Sequence, residues 1–361
     1  MTSQSKNEGL PVMTSSKEGD TAAAAAQKLG TMSLGETAER RGKNNEDAEK
    51  NEAPAKMCSA CGKKSDALMK CRACKCVWYC DKDCQNKHWK EHRKECKLIK
   101  KELDKRGGKL DLGTEMDIGP LPDLPPREEC PICMHALPLH EGLHMYKTCC
   151  GKTICCGCDL QHESSGRRTC AFCREPVSYS VDENLARLNK RVELKDPEAM
   201  RNMGMKYGYG ELGLPVDQGK CIDLLCQSAD LGNAVSQYQL GNYHLTGEMG
   251  LEQNKEEALQ HYQKAAECGD LMAWYTLGVT EHNKGNRAAA LRRLRVSASG
   301  GLRRPMDGLI AYFENGLLQH GDLAETLQAF YRSRAEMKSK ERDKCIVYFK
   351  ETGKYKQEYD C

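Results

Sequence analysis

Two small cysteine-braced fingers followed by an all-α solenoid of helical repeats is the fold class this sequence predicts, on three observations. Of its 22 cysteines, seventeen fall between Cys58 and Cys173, most of them in Cys-x-x-Cys pairs. After that stretch a motif recurs every 37 residues, as Met203-Gly204, Leu240-Gly241 and Leu277-Gly278. The N-terminus, MTSQSKNEGLPVMTSSKEGD, lacks the apolar core of a signal peptide, so the cysteine pairs read as zinc ligands rather than disulfides. Zinc-stabilised fingers are therefore expected.

A chain of 361 residues predicts two or three units. Its 55 basic and 52 acidic residues nearly cancel, which argues against nucleic acid as the main partner. No stretch reaches the ~18 apolar residues of a membrane helix, so no membrane role is expected. Residues 1–54 are polar and carry almost no large apolar side chains; they are expected to be a disordered tail.

The first cysteine block, residues 55–96, reads Cys58-x2-Cys61-x9-Cys71-x2-Cys74-x5-Cys80-x3-Cys84-x7-His92-x3-Cys96. Four pairs of soft or borderline ligands suit two tetrahedral zinc ions. Cys80/Cys84 and His92/Cys96 stand four apart, so each pair shares one helix face. Cys76 has no ligand slot and reads as packing, and His88 reads as a surface residue. With its Tyr79-Cys80 and Cys84-Gln85 dipeptides, Trp89 and final His-x3-Cys, the block resembles a MYND finger over its full length. The resemblance implies interleaved sites: Cys58, Cys61, Cys80 and Cys84 on one zinc, and Cys71, Cys74, His92 and Cys96 on the other. It also implies recognition of short proline-containing peptides through Gln85 and Trp89. The alternative for Trp89 is packing against the zinc loops. SET-type methyltransferases carry such fingers too, but this chain offers no room for that catalytic domain beside its repeats.

Residues 97–127 form a basic, then proline-rich, linker. Eleven basic and five acidic residues between Lys82 and Lys109 read as a solvated face. Pro122-Asp123-Leu124-Pro125-Pro126 reads either as a stiff spacer or as a peptide that docks on the chain's own finger.

The second block, residues 128–178, contains "CPIC" at 130–133, "CGKTICCGC" at 150–158 and "CAFCREP" at 170–176. It resembles a RING finger, a two-zinc cross-brace. In that order Cys130, Cys133, Cys155 and Cys158 form one site, and Cys170 and Cys173 share the other with two central ligands. Lys152 stands where the family has a ligating histidine, and a protonated amine is a poor ligand. Cys149 and Cys150 are the expected replacements, with His144 as the alternative and Cys156 left over. Gly151-Lys152-Thr153 mimics the end of a phosphate loop, but Tyr146 occupies the position of its first glycine. RING ligases bind a ubiquitin-conjugating enzyme through residues placed like Ile132 and Arg174. Against that, the usual proline is Ala171 and the central helix lacks tryptophan.

Residues 190–340 carry the repeats. Each unit closes on a small-small-x-x-Gly signature, such as Ser228-Ala229-x-x-Gly232, Ala265-Ala266-x-x-Gly269 and Ser297-Ala298-x-x-Gly301. Close helix approach and a left-handed cap explain it. The pattern resembles Sel-like repeats, relatives of the tetratricopeptide repeat; a fourth copy at Leu309 has Ile310 in place of glycine. Tyr238, Tyr243, Tyr262, Trp274, Tyr275 and Tyr312 are expected in the inter-helix core, with Cys221, Cys226 and Cys268 as buried hydrophobes. Residues 341–361 read as a C-terminal tail.

The sequence thus predicts a cytoplasmic or nuclear protein-interaction adaptor with two zinc ions in each finger, four in total. Its expected partners are proteins, among them proline-containing peptides and a ubiquitin-conjugating enzyme. No residue is assigned as a catalytic nucleophile, since RING-dependent transfer works by positioning. The alternative is a non-enzymatic scaffold or transcription-associated regulator.

Overall fold

The computed structural model describes residues 58–61, 63, 68–74, 77–104, 118–122, 124 and 127–353. Residues 1–54, Cys76, Asp123, Pro125 and Pro126, on which some of the expectations fall, lie outside the described residues.

In the first block β1 (Met69–Lys70) pairs antiparallel with β2 (Trp78–Tyr79), Met69 opposite Tyr79. Helix α1 (Lys82–Asp104) follows, and Asp81 starts it by accepting the Cys84 N–H at 2.8 Å. In the second block β3 (His144–Lys147) and β4 (Lys152–Cys155) form a hairpin that runs into α2 (Cys156–Ser164). Gly151 turns that hairpin at φ +68°, so Gly151-Lys152-Thr153 is a turn and a strand.

The solenoid comprises α3 (Val181–Glu193), α4 (Pro197–Tyr209), α5 (Gln218–Asp230), α6 (Ala234–Thr246), α7 (Lys255–Glu267), α8 (Leu271–Asn283), α9 (Arg287–Ser299), α10 (Arg303–Glu314), α11 (His320–Glu336) and α12 (Lys340–Glu351). Ser180, Asp196, Asp217, Asn233, Asn254, Asp270 and Ser339 each cap one of these helices by accepting first-turn N–H groups. Gly232, Gly269 and Gly301 follow α5, α7 and α9 at φ values of 87°, 96° and 102°, the left-handed stops the repeat signature requires. Helices pack as hairpins, α4 on α5, α6 on α7 and α8 on α9, and each hairpin stacks on the next. Met203, Leu240 and Leu277 are buried at the repeating position. No helix among the described residues is long and apolar enough to cross a membrane.

Several expectations change. Tyr238, Tyr243, Tyr262 and Tyr312 are buried, whereas Trp274 and Tyr275 are only half-buried. Cys221 is buried, but Cys226 and Cys268 are exposed, Cys268 because it stands just past the end of α7. His88 is half-buried rather than a surface residue; its Nδ1 lies 3.0 Å from the Tyr79 hydroxyl. Ile310, which stands where the fourth repeat would have its glycine, has a packing role. It joins Leu294, Leu309 and Phe330 in one apolar cluster with Val77, Tyr79 and Ile118, so the first finger and the solenoid share a core.

The described end of the linker, residues 118–122, 124 and 127, is a strap docked on the solenoid rather than a stiff spacer standing clear of it. Ile118 is buried in that shared core. Buried Arg295 donates to the Gly119 carbonyl at 2.9 Å while its other donors reach Thr326 and Glu325 on α11. Arg127 donates to the Ser333 hydroxyl at 2.6 Å and to the Gly300 carbonyl. The described part of the proline stretch therefore lies on the solenoid, with Pro120 and Pro122 beside Trp274 across a cavity of about 430 Å³.

The supposed tail, residues 341–361, begins as helix. Lys340–Glu351 is α12, and it folds because it has a surface to bury: Cys345 and Ile346 pack with Leu143, Cys156 and Leu160 of the second block. Cys156, left over in the ligand count, therefore has a packing role. The Arg342 guanidinium donates to the carbonyls of Ala136 (2.6 Å), Met337 (2.5 Å) and His135 (3.3 Å), and its Nη2 lies 3.6 Å from Cys133 Sγ. At the other end of the solenoid, Arg191 donates to the Cys149 carbonyl at 2.7 Å and the Tyr146 hydroxyl donates to Asp196 at 2.6 Å.

Gly157 tests this docking. A Cβ there would stand 2.6 Å from the Arg342 nitrogen and 2.7 Å from the Glu341 carbonyl carbon. On an undocked α2, Gly157→Ala would gain about 1 kcal/mol of helix propensity. In the full chain overpacking should outweigh that by about 1–3 kcal/mol. Denaturant unfolding of the zinc-loaded protein should show lowered stability, and Cys345 should become reactive towards alkylating agents.

Candidate functional site

The first finger gathers its ligands from two loops and one helix, the second block from three loops and one helix. In the first, the turn after Cys58 and the start of α1 bring Cys58, Cys61, Cys80 and Cys84 together. The turn after Cys71 and the next stretch of α1 bring Cys71, Cys74, His92 and Cys96 together. In the second block, the first knuckle and the entry to α2 bring Cys130, Cys133, Cys155 and Cys158 together. The hairpin turn and the last knuckle gather Cys149, Cys150, Cys170 and Cys173. Within each set the ligand atoms all lie within 4.8 Å of one another.

The distances suit zinc. Bonds of about 2.3 Å to tetrahedral thiolates place sulfurs about 3.8 Å apart. The sulfur pairs Cys61–Cys80, Cys71–Cys96, Cys133–Cys155, Cys150–Cys170 and Cys149–Cys173 stand at 3.6, 3.7, 3.9, 4.0 and 3.5 Å. His92 presents Nε2 to Cys74 Sγ at 3.2 Å. His144 lies on β3, paired with Cys155, and is not among the four residues of the second cluster in its block. The four cluster cysteines between Cys149 and Cys158 divide by backbone position: Cys149 and Cys150 leave the hairpin turn for one cluster, whereas Cys155 at the end of β4 and Cys158 in α2 serve the other.

Electrostatics point the same way. Burial opposes ionisation of Cys58, but N–H groups of Ala60, Cys61 and Cys80 outweigh it and bring the thiol down to about 6. Its neighbour Cys84 is pushed up to about 12 by burial and by hydrogen bonds to Cys61 and Cys58. Cys130 falls to about 4, chiefly through its bond to Cys155, and Cys155 rises in turn. Crowded thiols thus readily yield one anion and resist a second. A divalent cation removes that repulsion and holds all of them as thiolates.

Both outer loops of the second block share one backbone design that the sequence shows only as spacing. The N–H of Met134 returns to the Cys130 carbonyl and that of Arg174 to the Cys170 carbonyl, at 2.9 and 3.1 Å. Met134 and Arg174 both take positive φ, 55° and 66°. Each loop is closed by a single bridge, Glu129 to Ala136 and Thr169 to Pro176. The apolar residues at their tips face water: Ile132 is 41% exposed, Met134 67% and Phe172 42%. Arg174 is exposed as well, its guanidinium 3.3 Å from His162 Nδ1. Met134 and Phe172 escaped the sequence reading, although the first follows a ligand and the second lies between two.

On α1, Gln85 is half-buried and Trp89 is 39% exposed, its ring 6.4 Å from that of His92. The spacing of four places both on one face, beside the His92 cluster.

Comparison with known proteins identifies two of the modules. Residues 58–96 match the MYND finger family, and residues 197–233 and 234–270 each match the Sel1 repeat. The chain therefore combines a MYND zinc finger, a second cysteine cluster and a Sel1-repeat solenoid. Among curated proteins, the histone-lysine N-methyltransferase ASHR1 of Arabidopsis thaliana is 46% identical over 57 residues, 16% of this chain and 12% of that protein. Human histone-lysine N-methyltransferase SMYD1 is 40% identical over 45 residues, 12% of this chain and 9% of its own length. The chain thus matches only about a tenth of these relatives. A crystallised Sel1 repeat protein from Oxalobacter formigenes is 24% identical, covers 45% of this chain and 65% of its own, and has a TM-score of 0.36.

Ligand assignment in the second block has a direct test. Cys149→Ala should cost one bound metal ion per chain, whereas His144→Ala should leave the metal content unchanged, both measured by elemental analysis of the purified full chain.

Proposed function

We propose that this protein is a zinc-dependent recruitment adaptor in which the second block acts as a RING-like finger. The MYND finger and the Sel1 solenoid hold a client, and the RING-like finger positions a ubiquitin-loaded conjugating enzyme beside it. Two zinc ions per finger, four in all, set the loops. The observation that carries the reading is the pair of matched knuckles with Ile132, Met134 and Phe172 exposed at their tips and Arg174 exposed beside them. Exposed apolar residues on a rigid zinc-braced frame are what a partner enzyme can dock on without an ordering cost. Catalysis would then come from holding the activated conjugate in a reactive geometry.

In the MYND finger, half-exposed Trp89 with Gln85 on the same face supports recognition of proline-containing peptides. A wholly non-enzymatic scaffold, working in the cytoplasm or the nucleus, is the competing reading. Ala171 favours it, because it is buried where ligases usually present a proline at the surface.

Self-ubiquitination of the full chain with a panel of conjugating enzymes separates the two. Activity should appear with at least one enzyme and fall at least ~10-fold in Ile132→Ala and Arg174→Ala, as for interface anchors generally. No activity with any of them would leave the scaffold. Trp89→Ala should weaken a proline-containing peptide by at least ~10-fold in a calorimetric titration while leaving self-ubiquitination intact.

A further inference from the structure

The second Sel1 repeat contains a side-chain cluster that the adaptor reading does not use. His244 lies near the end of α6, and Glu257 and His261 stand four apart on α7, so they share a face. One ligand atom from each of the three lies within 4.8 Å of the others, and all three residues are half-buried. The two imidazole centroids are 5.3 Å apart. Two imidazoles on one tetrahedral ion, with bonds of about 2.0–2.1 Å, would have centroids about 5 Å apart.

The frame around this cluster is rigid. Gly241, one turn before His244, lets the helices approach so closely that a Cβ there would stand 2.7 Å from the Tyr262 ring. The Tyr262 hydroxyl donates to Asn242 Oδ1 at 2.8 Å. Beyond the cluster, the Asn254 N–H donates to the His244 carbonyl at 2.8 Å, and the Asn254 side chain caps α7. The donors are therefore held in place on both sides.

The hydrogen bonding prepares them further. Buried Gln237 places Oε1 2.8 Å from His261 Nδ1. An amide oxygen only accepts, so Nδ1 carries the proton and Nε2 keeps its lone pair. That is the outer contact a metal-ligating histidine normally makes. His244 Nδ1 is buried with no hydrogen-bond partner, although an imidazole nitrogen away from water should have one.

We propose that His244, Glu257 and His261 form a further metal site, a three-ligand centre for a zinc-type divalent cation, separate from the thiolate clusters. Two imidazoles and one carboxylate select borderline first-row ions over calcium and magnesium, which prefer all-oxygen shells. Three protein ligands leave a fourth position open, and the ion should exchange more readily than one held by four thiolates or by three thiolates and an imidazole.

Zinc uptake by the full chain tests this. The protein is dialysed against a chelator too weak to strip the thiolate clusters, then titrated with zinc chloride alone while bound metal is counted. Wild type should take up one ion per chain that His261→Ala and Glu257→Gln do not. Gln237→Leu, which touches no ligand atom, should weaken that uptake roughly 10–100-fold. Glu257→Gln replaces a half-exposed carboxylate with its isostere, so it decides the matter even if His261→Ala misfolds. Equal uptake by wild type and Glu257→Gln, with matching circular dichroism, would overturn the proposal and leave the two histidines as stacked rings.

Discussion

Cysteine-rich segments of about forty residues cannot bury enough apolar surface to fold alone, and everything else in this structure follows from how that deficit is met. One answer is metal, which contributes about 10–16 kcal/mol per structural zinc site in model peptides. The other is borrowed surface. Val77 and Tyr79 of the MYND finger pack in the same cluster as Leu294, Leu309 and Phe330 of the solenoid. The second block rests Leu143 and Cys156 on Cys345 of α12. Loss of metal from either finger would therefore uncover solenoid surface as well, which couples the modules thermodynamically.

Arginines do much of the joining, Arg191 at the Cys149 carbonyl and three others besides, and each works by satisfying carbonyls that the loops leave open. Arg342 gathers three carbonyls and faces Cys133, Arg295 pins the linker at Gly119, and Arg127 reaches Gly300 and Ser333. A guanidinium offers five donors in a planar fork, so it can serve several acceptors from different elements at once. A lysine in any of these places would reach fewer of them. The charge of Arg342 also lies beside a ligand thiol, where it offsets negative charge that the cluster accumulates.

Much of this was legible in the sequence because the signals were local. Cys-x-x-Cys spacing, i,i+4 ligand pairs on a helix and a 37-residue repeat each depend on residues close in the chain. The ligand sets of the MYND finger followed from family order, and the structure brings those same residues together. What stayed hidden was long-range. Arg342 is more than two hundred residues from Ala136. Nothing near Lys340–Glu351 announces the surface that it covers, so the segment read as a tail. Ile310 looked like a decayed repeat because the docked finger that shares its cluster lies far upstream in the chain. Cys156 looked spare for the same reason. The His244 cluster was missed because one ligand lies on a different helix from the other two, with no fixed spacing to betray it.

Docking also decides which faces remain for partners. A finger that packs its loops on the solenoid has one side committed and one side free. Tyr79 and Val77 are buried against the shared core, while Trp89, further along α1, keeps two-fifths of its surface in water. In the second block Leu143 and Cys156 meet α12, while Ile132, Met134 and Phe172 remain exposed at the knuckle tips. A free finger on a flexible linker would present the same residues but sample many orientations. Arg127 and Arg295 hold the described end of the linker on the solenoid, and each finger packs on solenoid helices of its own. Under the proposed recruitment function, that geometry is where effective concentration would come from.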